Sequence, residues 1–371
     1  MPGDGGAGAV GSLLDEGVEA GDFPGAVALA GDGDVVVLHC ARGLAVREPQ
    51  RHPATLDTVY DLAELTQPLV TAPLLLLLHV LEGVDLDSSV SRFVPEIDRL
   101  DKRDITLRHL LLHRSGLPEH LPLYVRGRSM GDYLGILRGC EPIEAPGTRD
   151  RPSAPGFLLA GEIAARVGAA PLGRLASELI LDRLGAPTLR FGPLPQAERP
   201  SVAATEHGDG FERARAGRRA EAYRGWRQEM IWGEVHDHLA WTLGGVAGNA
   251  GLFGAARDVW RLVLEMLGRG RGLFPDRVQM LLRDEATPAQ ESGRSLGWRL
   301  ARCGSSGGGS AVPAPALEAD GFTGASIWIE PRSARVRVLL TNRVHPRVPS
   351  TGTRAARDRF LQMAVGNPDD S

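Results

Sequence analysis

Strand signals stand at both ends of this 371-residue chain, and the long stretch between them reads as helical. Near the N-terminus, Ala26-Val27-Ala28-Leu29-Ala30 and Val35-Val36-Val37-Leu38-His39 flank Gly31-Asp32-Gly33-Asp34. Those turn residues tolerate positive φ, so the pattern predicts a hairpin. Near the other end, residues 325–329 and 336–341 flank Glu330-Pro331-Arg332-Ser333, a second hairpin. The middle carries helical spacing. Residues 69–82 are apolar on nearly every face, which predicts a helix buried all round. Thr106 is positioned to cap a short amphipathic helix over 106–113. Residues 156–167, 172–184 and 255–267 form further helices, the last closed by Gly268, and 352–365 forms a C-terminal one. The pattern predicts an α+β fold, with one antiparallel sheet built from both termini and a helical region inserted.

The boundaries follow. A single domain spans about 12–365, its α/β part 12–60 and 290–365, its mainly helical part 61–289. Residues 303–316, rich in Gly, Ser and Pro, read as a flexible loop.

Charge and cysteine usage exclude several functions. A net charge of -4 and the lack of any dense basic run argue against a nucleic-acid or membrane patch. Cys40, Cys140 and Cys303 supply neither a disulfide framework nor a C-x-x-C metal spacing. Met1-Pro2-Gly3-Asp4 lacks the basic and apolar regions of a secretory signal, so a soluble cytoplasmic protein is the expectation. Residues 69–84 are interrupted by Pro73, His79 and Glu82, and fall short of the ~20 residues a membrane span needs. No cofactor is expected.

A series of short phrases carries a family resemblance. In chain order they are Phe23-Pro24-Gly25-Ala26, Asp61-Leu62-Ala63, the run from Ile105 to Leu117, Gly161-Glu162-Ile163 and Gly233-Glu234-Val235-His236-Asp237. The run from Gly244 to Phe253, then the run from Gly321 to Ile329 and Leu339-Leu340-Thr341-Asn342-Arg343, complete it. Together they resemble the serine beta-lactamase and penicillin-binding-protein superfamily, in particular its class-C-like esterase and carboxypeptidase branch. The resemblance implies about five antiparallel strands flanked by terminal helices, with a helical part beside them.

It also implies three chemical elements, and each is altered here. The first is S-x-x-K, a nucleophilic serine and a lysine that moves its proton, held on one helix face by their spacing. Glu64 and Gln67 stand in those slots. A carboxylate is a far poorer acyl acceptor, and Gln67 exchanges no proton near neutral pH. The second, Tyr-x-Asn, falls on Pro152-Ser153-Ala154, and the third, Lys/His-Thr-Gly, on Ala319-Asp320-Gly321, where only the glycine remains. The oxyanion hole, formed by the N–H groups of Glu64 and Phe322, is a backbone feature that survives such changes. Three losses on a preserved scaffold lead us to expect a non-catalytic pseudo-hydrolase that takes an unknown small ligand or protein partner.

Other candidates are weighed against plainer roles. Ser153 is either a relocated nucleophile or a turn serine. Ser115 reads as structural. His236-Asp237-His238 has metal-ligand spacing, but sits in a loop phrase of the family. Residues 244–254 are glycine-rich but lack the strand and lysine of a phosphate loop, so a packed loop is expected. Glu64 and Asp320 form either an acid–base pair, which also suits a hard cation, or two separate carboxylates, solvated or paired with arginine. The latter is expected. These carboxylates predict a cleft that no longer favours anionic acyl substrates.

Overall fold

The computed structural model describes residues 4–284, 293–301, 316–349 and 354–362. Its main sheet has seven strands in the order β3-β2-β1-β10-β9-β8-β7. These are β1 (Gly25–Asp32), β2 (Val35–Val46), β3 (His52–Pro53), β7 (Arg299–Ala301), β8 (Ala316–Asp320), β9 (Ser326–Glu330) and β10 (Arg335–Thr341). Every pairing is antiparallel, and β1 joins the two ends of the chain by pairing with β10 from Ala26↔Thr341 to Asp32↔Arg335. About five strands were expected. The two extra ones are the edges, β3 of 2 residues and β7 of 3, too short to leave an alternating pattern in sequence.

Alternation across β1 explains the layers. Ala26, Ala28 and Ala30 pack with Val10, Leu13, Leu14 and Phe360 of the terminal helices Asp4–Ala20 and Arg354–Gln362. Val27 and Leu29 point the other way, into the main core with Val336, Val338 and Leu340. Small alanines on one face let the terminal helices approach closely, while larger residues fill the deeper core.

A second sheet, β4 (Tyr60–Asp61), β6 (Leu252–Gly254) and β5 (Arg190–Phe191), lies at the entrance to the helical part. From it runs a continuous helical stretch, Ala63–Glu82, closed by Gly83 at φ 69°. At 20 residues it is longer than the sequence indicated, and by length and composition it meets a membrane-span criterion. Its apolar window is 78% buried inside the protein, as a core helix requires. Thr106 caps its helix as expected, its hydroxyl accepting from the His109 N–H at 3.2 Å. The helix Ala256–Met266 ends before Gly268, which takes φ 71°. Cys303, and the proposed loop except its final residue Ala316, lie outside the described residues.

Candidate functional site

The site is built on a strained turn. Ala63 has φ 49°, uncommon for a residue with a Cβ. The buried Asp61 carboxylate fixes this turn by accepting from the N–H groups of Ala63 (2.9 Å) and His236 (2.6 Å). Burial raises the Asp61 pKa, and those two N–H groups oppose the rise. Thr66 closes the turn through its hydroxyl, 2.7 Å from the Ala63 carbonyl.

This turn sends Glu64 and Gln67 into a cleft of about 450 Å³. Glu64 Oε2 accepts from the Phe322 N–H at 2.7 Å. The carboxylate thus occupies one of the two donors that the resemblance assigns to an oxyanion hole. Burial pushes the Glu64 pKa up to about 7, and the charges of Asp237 and Asp61 add to the rise. The N–H groups of Phe322 and of Glu64 itself pull it down. Gln67 is buried and donates through Nε2 to the Asn249 carbonyl at 3.3 Å. Asn249 Nδ2 in turn donates to Asp237 Oδ1 at 3.1 Å, an oxygen that also accepts from Ala240 N at 2.7 Å.

Ser153 lines the cleft with Pro152 and Ala154 but is only 1% exposed. Its hydroxyl donates to the Pro118 carbonyl at 2.8 Å and accepts from Gly156 N at 3.0 Å, capping the helix Ala154–Val167. The turn role therefore accounts for both hydrogen-bonding directions of this hydroxyl.

On the opposite wall, Ala319, Asp320, Gly321 and Phe322 follow one another at the end of β8. Asp320 pairs with Arg299 at 2.7 Å and Arg357 at 3.0 Å. Its predicted alternative as the acid–base partner of Glu64 is thereby disfavoured, because each carboxylate has its own donor. A Cβ on Gly321 would lie 2.7 Å from the Leu62 carbonyl oxygen, so glycine permits this strand end to reach the turn. The Phe322 ring packs against those of Phe211 and His236, at separations of 4.5 and 5.4 Å. Arg343 lies over its ring at 4.8 Å and donates through Nε to its carbonyl at 2.7 Å.

The eight motif-slot residues named from sequence, and Phe322, thus line one cleft. The expected carboxylates, Glu64 and Asp320, share the cleft with cationic side chains that the sequence did not assign to it. Arg215, Arg294, Arg299, Arg343 and Arg357 line the same cleft as Glu64, Glu119, Asp237, Glu318 and Asp320. The arginines come from four separate places in the chain, with no local spacing to link them. Arg343 alone lay within a recognised phrase, but nothing in the phrase assigned it a role.

The histidine loop is structural. His236 Nε2 is 3.0 Å from Glu206 Oε2, whereas His238 faces Asp209 at 3.2 Å and the Tyr223 hydroxyl at 3.0 Å. They turn to different partners, and no cluster fit for a metal ion occurs among the described residues. Ser115 accepts from Leu117 N at 3.3 Å, as a turn serine. The glycine-rich stretch is packed: a Cβ on Gly248 would lie 2.1 Å from the Phe157 carbonyl oxygen.

An antiparallel sheet built from both termini, a helical part beside it, and a cleft where a helix start meets a strand end define the class of serine beta-lactamases and penicillin-binding proteins. The Beta-lactamase family model matches residues 10–361, and the chain belongs to that family. A protein of Salmonella agona, provisionally named D-alanyl-D-alanine carboxypeptidase, is 31% identical over 329 residues, covering 79% of this chain and 72% of its own. Among solved structures, a class C beta-lactamase superposes with a TM-score of 0.76 at 19% identity, covering 99% of this chain and 98% of its own. EstCE1, a hydrolase with promiscuous acyltransferase activity, superposes at 0.74 with 19% identity, covering 96% and 98%. At these identities the structural likeness speaks for the fold alone.

Proposed function

We propose that this protein is a non-catalytic member of its family, a pseudo-hydrolase whose cleft binds a ligand or a partner without acyl transfer. The observation that carries this reading is the 2.7 Å hydrogen bond from Phe322 N to Glu64 Oε2. In the family's chemistry a serine stands at that position and the hole receives the substrate's carbonyl oxygen. Here the side chain in the serine slot fills the hole itself. A carboxylate that must leave before a carbonyl can enter, and that is a poor acyl acceptor, opposes the reaction twice. Gln67 and Pro152 bring no proton-transfer group to replace the lysine and tyrosine.

The opposing reading is an active hydrolase that uses Ser153 as nucleophile or Glu64 with Asp320 as acid and base. The two hydrogen bonds of Ser153 and the two arginines on Asp320 weigh against it. Nitrocefin and simple ester substrates test the proposal. No turnover above the uncatalysed rate is expected. Turnover that disappears in Glu64→Ala or Ser153→Ala defeats it. A thermal-shift screen then detects a working cleft, since ligands of the native state raise its melting temperature.

A further inference from the structure

The cleft's charges do not all cancel within the protein. Arg299 and Arg357 are matched by Glu318 and Asp320 on the same wall. Arg343 differs. It is half-buried and lines the cleft, and its Nε is fixed on the Phe322 carbonyl with its guanidinium over the Phe322 ring. Among the described residues no carboxylate lies within 4.0 Å of it, and neither terminal nitrogen makes a hydrogen bond. A pre-oriented guanidinium with both terminal nitrogens open suits a planar carboxylate.

Asp237 is its counterpart in the cleft. It is partly buried, and both of its hydrogen bonds, from Ala240 N and Asn249 Nδ2, fall on Oδ1. Oδ2 accepts nothing among the described residues, and no cationic side chain pairs with this carboxylate there. Partly buried charges left unmatched in a concave site are costly, and a ligand of complementary charge offsets that cost. Arg343 and Asp237 line the same cleft as Glu64, and the charge of each acts with that of Glu64.

Resting on the reading of this cleft as a binding site, we infer that its ligand is a small zwitterion, its carboxylate forked on Arg343 and its protonated amine on Asp237. Neither a simple anion nor a simple amine satisfies both groups. Dianions such as phosphate are disfavoured by the carboxylates of Glu64 and Asp237 in the same cleft.

Isothermal titration of the full chain with γ-aminobutyrate and ε-aminocaproate tests this, with caproate and hexylamine as single-charge controls. At least one zwitterion is expected to bind about tenfold or more tighter than either control, the scale of one added charge-assisted contact. Asp237→Asn keeps a residue competent to cap the helix His238–Thr242 and removes only the charge. It is expected to bring the zwitterion down to the affinity of caproate while leaving caproate binding unchanged. Arg343→Gln is expected to bring it down to the affinity of hexylamine. Equal affinities for zwitterion and controls, no binding by any of them, or zwitterion binding untouched by Asp237→Asn overturns the inference. Its failure is distinct from failure of the binding-protein reading, which falls if the protein turns over nitrocefin or esters or forms a covalent acyl–enzyme-type adduct.

Discussion

The carboxylate of Glu64 accepts a hydrogen bond from the backbone N–H of Phe322 across 2.7 Å, although the two residues are 258 positions apart. Glu64 lies in the first turn of the helical stretch Ala63–Glu82 and Phe322 just beyond β8, so a single contact bridges the helical part and the sheet. The consequences for stability and binding can be measured separately.

Glu64 should make stability fall with rising pH. Its pKa is raised from 4.5 to about 7, chiefly by burial, so the folded state favours the neutral acid. That contribution is complete below about 4.5 and is lost as the pH rises through about 7. Glu64→Gln keeps an acceptor for Phe322 N and removes the titration. The melting temperature of the variant should fall less between about pH 5 and pH 8 than that of the wild type. Parallel curves would count against this account of Glu64.

Glu206 should be a main support of the cleft. Its carboxylate is 3.0 Å from His236 Nε2 and also accepts from Phe211 N at 2.9 Å. His236 and Phe211 both pack against the Phe322 ring. Burial alone would lower the His236 pKa, but the hydrogen bond and charge of Glu206 outweigh it and raise the value. The pair's contribution is therefore full below about 6.5 and lost as the pH climbs past the raised value. Glu206→Gln should cost about 3–5 kcal/mol at pH 6 in chemical denaturation, as expected for a broken buried pair. A cost below about 1 kcal/mol would show that the pair is not needed.

Ser153→Ala should be a stability variant only. Losing the cap of the helix Ala154–Val167 should cost about 1–2 kcal/mol, read from the urea midpoint. Ligand-induced thermal shifts should keep their size. Loss of binding with full stability would mean that the hydroxyl serves the cleft instead.

Gly321→Ala should disturb the junction itself. The added methyl would sit 2.7 Å from the Leu62 carbonyl oxygen and 3.2 Å from the Ala63 side chain, so β8 or the strained turn must move. Overpacking of this kind should cost about 1–3 kcal/mol, and the amide proton of Phe322 should shift in NMR spectra. An unchanged Phe322 resonance would place the slack elsewhere.

Much of the fold was legible because its strands have clear local signatures. The apolar runs at each end of the chain and the turn residues between them announced both hairpins. The apolar run after residue 69 announced the central helix, but its first turns were hidden because Glu64, Thr66 and Gln67 look polar in sequence while the last two are buried. The nine cleft residues were found because flanking phrases anchor them. The contact between Glu64 and Phe322 was not, since nothing in a linear pattern says that a side chain will fill its own backbone hole. The arginines were missed for a related reason: charge balance in a cleft is set by residues that only folding brings together. His236 and His238 were legible as a spacing, but the direction each side chain takes depends on Glu206 and Asp209.

The central claim is that the cleft binds without forming an acyl–enzyme. Intact-mass spectrometry after prolonged incubation of the native protein with a fluorophosphonate probe tests this most directly. We predict an unchanged mass, with no serine labelled. A stoichiometric adduct mapped to a single serine, Ser153 above all, would contradict it.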